Sequence, residues 1–189
     1  LFLLWLTGLT NAYNFMDGID GIAGLQGVVA AIAWLTVFLF DPSLQLAWSE
    51  FQPLLFIALA GGIMGFLILN WSPATIFMGD IGSTFLGLFF ASIPFVAAME
   101  GMPMARALEA GTLFVWPFVM DTGMTFGKRL LRAERVFDAH RGHVYQVLAG
   151  SFRNRDRGHR FTSSLYGLLA LLGVGLYWSD GPLWAKLGV

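Results

Sequence analysis

Long apolar stretches alternate with short polar clusters along this chain, and most of the stretches are about as long as a bilayer crossing. Ile22–Phe40 carries no charge and suits a spanning helix, at roughly 20 residues per crossing. Asp41-Pro42 ends it, because proline cannot continue a helix and restricts the residue before it. Residues 53–69 form a second span, in which Gly61, Gly62 and Gly65 predict close contact with a neighbouring helix. A third span, 83–99, is expected to break near Pro94. The fourth runs from about Met104 through Pro117 with a kink and continues as a polar helix to about Arg135. The fifth is 161–178, and residues 1–9 read as the tail of one more helix. The pattern predicts an all-α, polytopic integral membrane protein of about five transmembrane helices plus the end of a truncated one. It forms a single membrane domain over 1–189, and the N-terminal helices are expected to be missing.

Composition sharpens this picture. The chain is 57% hydrophobic and 12% charged, about half the charge of a soluble domain, with mean hydropathy +0.68. Such a surface needs lipid as its solvent. No basic n-region or small-residue cleavage site marks a signal peptide. With no cysteine, neither disulfides nor thiolate metal sites are available. The net charge of −1 hides a segregation: nine of the eleven Lys and Arg residues lie from Lys128 to Arg160. The positive-inside rule places that loop in the cytoplasm. Counting crossings back from it puts residues 11–21, 70–82 and 138–146 on the same face. The arginines at 153–160 read as topology determinants that also attract anionic headgroups, without a catalytic role.

Those three segments hold the candidate chemistry. NAYNFMDGIDG sets Asn11, Asn14, Asp17 and Asp20 at steps of three, a spacing that shares a helix face. A simple Asn/Asp/Gly cap would need one aspartate, whereas two carboxylates and two amides at a membrane edge are costly. NWSPATIFMGDIGST carries Asp80 between Gly79 and Gly82. It suits either a helix cap or a magnesium ligand, since Mg²⁺ takes one or two carboxylates and fills its shell with phosphate and water. Asn70 and Phe77 offer an amide and an aromatic face for a base. DAHRGHVYQ places His140 and His143 around Arg141, which fits phosphate binding or proton transfer better than zinc, for want of further ligands. Asp121 reads as the partner of a nearby cation.

The stretches NAYNFMDGIDGIAG, NWSPATIFMGDIGSTFLG and AHRGHVYQ, in this order and separated by helices, resemble the polyprenyl-phosphate N-acetylhexosamine-1-phosphate transferases. The HR-x-H-x-YQ form looks like the O-antigen-initiating subgroup, and the peptidoglycan translocase has a run of histidines there. The resemblance implies a bacterial inner-membrane enzyme with its site on the cytoplasmic face. It would move an N-acetylamino-sugar 1-phosphate from a UDP-sugar to undecaprenyl phosphate and release UMP. It further implies Mg²⁺ on Asp80 with Asn14, and Asn14, Asp17 and Asp20 lining the nucleotide and phosphate site. Asp17, Asp20, His140 and His143 would be catalytic, and Asn11, Asn14, Asn70, Phe77 and Arg141 would bind substrate. Membrane lipid is a partner, nucleic acid is not expected, and a homodimer is compatible. Gly142 stands where the subgroup usually has serine, and the family's upstream paired aspartates are not in this stretch.

Other readings are an ion-coupled transporter and a non-catalytic subunit of an envelope-synthesis complex. The first predicts mid-helix charges and inverted repeats, which the sequence lacks. The second predicts that substituting Asp17, Asp20 and Asp80 is tolerated.

Overall fold

The computed structural model describes residues 2–44, 51–132 and 142–179. These contain eight α-helices and no strand: α1 Phe2–Phe15, α2 Ile22–Phe40, α3 Phe51–Asn70, α4 Gly79–Met99, α5 Met104–Leu113, α6 Trp116–Leu131, α7 Val144–Gly150 and α8 Arg155–Trp178. Four of them, α2, α3, α4 and α8, are long and apolar enough to cross a membrane. The chain is an all-α polytopic membrane protein, as the apolar pattern predicts.

Burial decides the arrangement. Most of the α2 span (72%) is covered by the rest of the chain, against 22% for α3, so α2 is the central helix and α3 a peripheral one. The core is aromatic: Tyr13 packs against Phe90 and Phe118, Trp34 meets Phe114 edge-on, and Phe38 meets Phe56. Edge-to-face and offset geometries of this kind favour the ring quadrupoles.

Three local expectations change. Among the described residues Gly61, Gly62 and Gly65 make no close helix contact, because a Cβ at any of them would meet nothing within 4 Å; all three are exposed on α3. Close approach occurs at Gly87, where a Cβ would lie 2.9 Å from the Thr10 backbone and from Tyr13, so α4 and α1 touch there. Helix α4 does not break at Pro94 but runs through it to Met99, with Gly111 of α5 packed on the proline ring. The expected kink near Pro117 is a full break at Phe114-Val115, with Pro117 in the first turn of α6, where its missing N–H costs nothing. Gln26, buried in the second turn of α2, donates to the Phe114 carbonyl at 2.7 Å and satisfies an acceptor at the break. The expected fourth span is thus two short helices, neither of them among the four long and apolar enough to cross a membrane alone.

Contacts at the two ends fix the helix directions. At one end Asp41, buried after α2, accepts from Ser43 N and Oγ at 3.0 and 2.6 Å and from Tyr177 of α8 at 3.1 Å. It also pairs with Arg106 of α5 at 3.0 Å. Burial pushes the Asp41 carboxyl up, but the bonds from Ser43 and Tyr177 and the Arg106 charge outweigh it and hold the group below its usual range. At the other end, the start of α8 meets the loop before α2 through His159 and Asp20, 3.2 Å apart. The end of α1, the starts of α2, α4 and α8, and the end of α3 therefore lie together, as crossing parity predicts.

Candidate active site

The loop between α1 and α2 is the floor of the site. It ends at Gly21 with φ +82°, a left-handed conformation that glycine adopts without Cβ strain. Asn70, at the end of α3, is buried and ties this loop to the next one. Its Oδ1 accepts from Gly21 N at 3.0 Å, and its Nδ2 donates to Ile76 O at 2.8 Å. Ala74 N donates to Asp20 Oδ2 at 3.3 Å, and Ser163 of α8 donates to Asp20 O at 2.8 Å. Burial raises the Asp20 carboxyl, and the bonds from His159, Ser72 and Ala74 more than reverse that, leaving it below the ordinary value. Asp20 thus joins α8 to both loops.

Asp80 enters from the opposite wall. Gly79, at φ +66°, turns the chain into α4 and leaves Asp80 exposed in the first helical turn. Asn14, on the last turn of α1, donates its amide to Ser83 Oγ at 2.8 Å and to Asp80 Oδ1 at 3.3 Å. Its Oδ1 is the atom it would offer a cation. Asp17, Asp20, Asn70, Phe77 and Asp80 line one cavity of about 210 Å³, together with Arg155. Burial, then the charge of Asp80, raises the Asp17 carboxyl to about 7. Two carboxylates that repel across an open cavity fit a divalent cation whose other ligands are phosphate and water, which is the usual Mg²⁺ donor set.

A second cavity of about 590 Å³ adjoins the first, sharing Gly18, Ile19 and Arg155, and is also lined by Gln146, Arg153 and His159. Together they fall within the roughly 300–1,000 Å³ of small-molecule sites. Arg155 and His159 gave no functional signal in the sequence, where they read as part of a basic loop.

The third cluster reaches the same end through a different anchor. Asp121 of α6 is buried and accepts from Val144 N and Tyr145 N at 2.9 Å each, capping α7 from outside. It also accepts from Tyr166 Oη at 2.6 Å and Thr125 Oγ1 at 3.3 Å, and lies 3.2 Å from His143 Nδ1. Its partner is therefore a histidine and a set of hydrogen-bond donors, not one of the surface cations. Tyr145 Oη donates to Phe15 O at 3.0 Å and lies against Gly18, where any Cβ would collide with it. His143 is buried, with its ring 6.4 Å from that of Phe15, and lines neither cavity. Asn11 is exposed on α1 and also lines neither. His140 and Arg141 lie outside the described residues.

This is a membrane helix bundle with a carboxylate-rich cavity at one end, and comparison with known proteins assigns its family. The model of glycosyl transferase family 4 matches residues 1–98, and the chain belongs to that family. Among curated proteins it is similar to the phospho-N-acetylmuramoyl-pentapeptide-transferases of Kosmotoga olearia, Moorella thermoacetica and Aliarcobacter butzleri. The first is 32% identical over 66% of this chain and 38% of the relative. The second is 42% identical over 40% and 24%, and the third 35% over 53% and 26%. The matched part of this chain thus spans well under half of each relative's length.

Proposed function

We propose that this chain forms part of an enzyme that transfers an N-acetylamino-sugar 1-phosphate from a UDP-sugar to undecaprenyl phosphate and releases UMP. The observation that carries the reading is the convergence of Asp17, Asp20, Asn70, Phe77 and Asp80 on one cavity, with Asn14 hydrogen-bonded to Asp80, in a chain of this family. An oxygen of the lipid phosphate forms a bond to the sugar-bearing phosphorus. The phosphorus–oxygen bond to UMP breaks, and UMP leaves with the electron pair. Mg²⁺, held by Asp80 with Asp17 or the Asn14 carboxamide, would neutralise charge on the diphosphate. Asn70, fixed by Gly21 and Ile76, and Phe77, 71% exposed at the rim, hold the uracil by hydrogen bonding and stacking. Asp20 positions the loop through His159, Ala74 and Ser163; Arg141 and His140 would serve the diphosphate from the third segment, which His143 positions from its buried place beside Asp121. The site faces the cytoplasm of the bacterial inner membrane, which the basic loop supports.

The test is UMP release from UDP-N-acetylhexosamines with undecaprenyl phosphate, using the natural full-length protein in detergent. Turnover by wild type, its loss in Asp80→Ala, and a much higher Mg²⁺ requirement in Asp80→Asn are expected. Near-normal activity of both variants would reduce Asp80 to a helix cap. The HR-x-H-x-YQ segment favours a simple N-acetylamino sugar of O-antigen type. A preference for a donor of phospho-N-acetylmuramoyl-pentapeptide, the group in the relatives' names, would replace that finer reading.

A further inference from the structure

Among the described residues, the smaller cavity is lined by three carboxylates, Asp17, Asp20 and Asp80, and one cation, Arg155. A diphosphate entering there meets negative charge on several sides, and a single Mg²⁺ offsets only part of it. Arg155 also lines the larger cavity, so it stands where the two meet. Among the described residues it forms no salt bridge.

Its position is built, not incidental. Asn154 caps α8 by accepting from Arg157 N at 2.9 Å, which places Arg155 at the first helical position. Three contacts hold that turn against the site: His159 to Asp20 at 3.2 Å, Ser163 to Asp20 O at 2.8 Å, and Ser72 to Asp156 at 3.5 Å. Gly158 lets α8 press on the Ala149 carbonyl of α7, where any Cβ would collide. Beyond Arg155, the larger cavity offers Gln146, Arg153 and His159, groups suited to the hydroxyl and acylamino oxygens of a sugar.

We infer that Arg155 binds the phosphate bonded to the sugar of the donor, at the junction of a nucleotide cavity and a sugar cavity. The inference rests on the proposed UDP-sugar reading and deepens it. A planar guanidinium grips two phosphate oxygens at once, whereas lysine offers a point charge. Arg155 therefore contributes to the binding of a UDP-sugar and not to that of UMP, which lacks the second phosphate.

The experiment compares UMP and UDP-N-acetylglucosamine binding by calorimetry, with Mg²⁺ present, to the natural full-length protein and to Arg155→Ala, Arg155→Lys and Arg157→Ala. Arg157 is exposed and lines neither cavity, so its variant controls for loss of one loop charge. Arg155→Ala is expected to weaken UDP-N-acetylglucosamine about 10- to 100-fold, the usual range for one charge-assisted contact, and to leave UMP within about twofold. Arg155→Lys falls between, and Arg157→Ala matches wild type. Melting temperatures equal to wild type support a local effect. Equal weakening of both nucleotides, or of neither, overturns the assignment while leaving the UDP-sugar reading intact. A wild type that binds neither nucleotide overturns that reading, and the assignment with it.

Discussion

Asp121→Asn replaces one carboxylate oxygen by an amide nitrogen where every neighbour is a donor. Oδ1 accepts from Val144 N, Thr125 and His143, and Oδ2 accepts from Tyr145 N and Tyr166. Whichever way the amide turns, its NH₂ faces one backbone N–H that has no second acceptor. The Tyr166 hydroxyl can rotate to accept, but a peptide N–H cannot. One buried donor without a partner costs about 1–3 kcal/mol, and the surviving bonds lose their charge assistance, so a total of about 3 kcal/mol is expected. At roughly 2–4 °C per kcal/mol for a chain of this size, melting of detergent-solubilised protein should fall by about 6–12 °C. Tyr145 links this anchor to Phe15 O and packs on Gly18, so the loop carrying Asp17 should loosen as well. Turnover should drop by roughly one to two orders of magnitude. Tyr166→Phe alone removes one bond to the carboxylate and should cost about 1.5–3 kcal/mol. The double variant should cost clearly less than the sum, because both changes break the same contact. An unchanged melting temperature in Asp121→Asn, or strict additivity with Tyr166→Phe, would refute the view of Asp121 as the shared anchor.

Other consequences can be checked on the same preparations. The folded-state value of Asp17, about 7, lies above its ordinary 3.8, so the folded state binds the extra proton between those values. Stability of metal-free protein should therefore fall as pH rises from about 4 to 7 and level off above; Asp17→Asn should lack that component, and melting curves across this range decide it. Gly87→Val places side-chain atoms against Thr10 and Tyr13 and should cost about 1–3 kcal/mol, while Gly62→Ala, with open space around it, should melt within a few degrees of wild type. Gln26→Leu leaves the Phe114 carbonyl without its 2.7 Å donor and should lower stability by about 1–3 kcal/mol in thermal melts. Cysteines introduced singly at Ala74 and Ser151 into this cysteine-free chain should resist an impermeant maleimide in intact cells and react after lysis; labelling from outside would reverse the orientation.

The apolar spans, their approximate ends and their alternating direction were legible in the sequence. They depend only on local hydropathy, on proline and glycine, and on counting. That logic sufficed to bring Asp17, Asp20, Asn70, Phe77 and Asp80 to one end of the bundle, and the structure sets them around one cavity. Side-chain partners followed a different rule, because they join positions far apart in the chain. Asp121 reaches Val144, Tyr145 and Tyr166, and Asp20 reaches His159 across 139 positions. No periodicity marks such pairs. Gly61, Gly62 and Gly65 look like a packing motif, yet only the placement of α3 at the edge shows that none of the described residues comes close to them. Gln26 is a lone polar residue in an apolar run until the break at Phe114 gives it an acceptor. Arg155 belongs to a basic loop by sequence, and folding brings it to an acidic cavity. Hydropathy is a property of each segment and its solvent, whereas hydrogen-bond satisfaction and charge balance belong to the assembled set of helices, where burial removes water as the alternative partner.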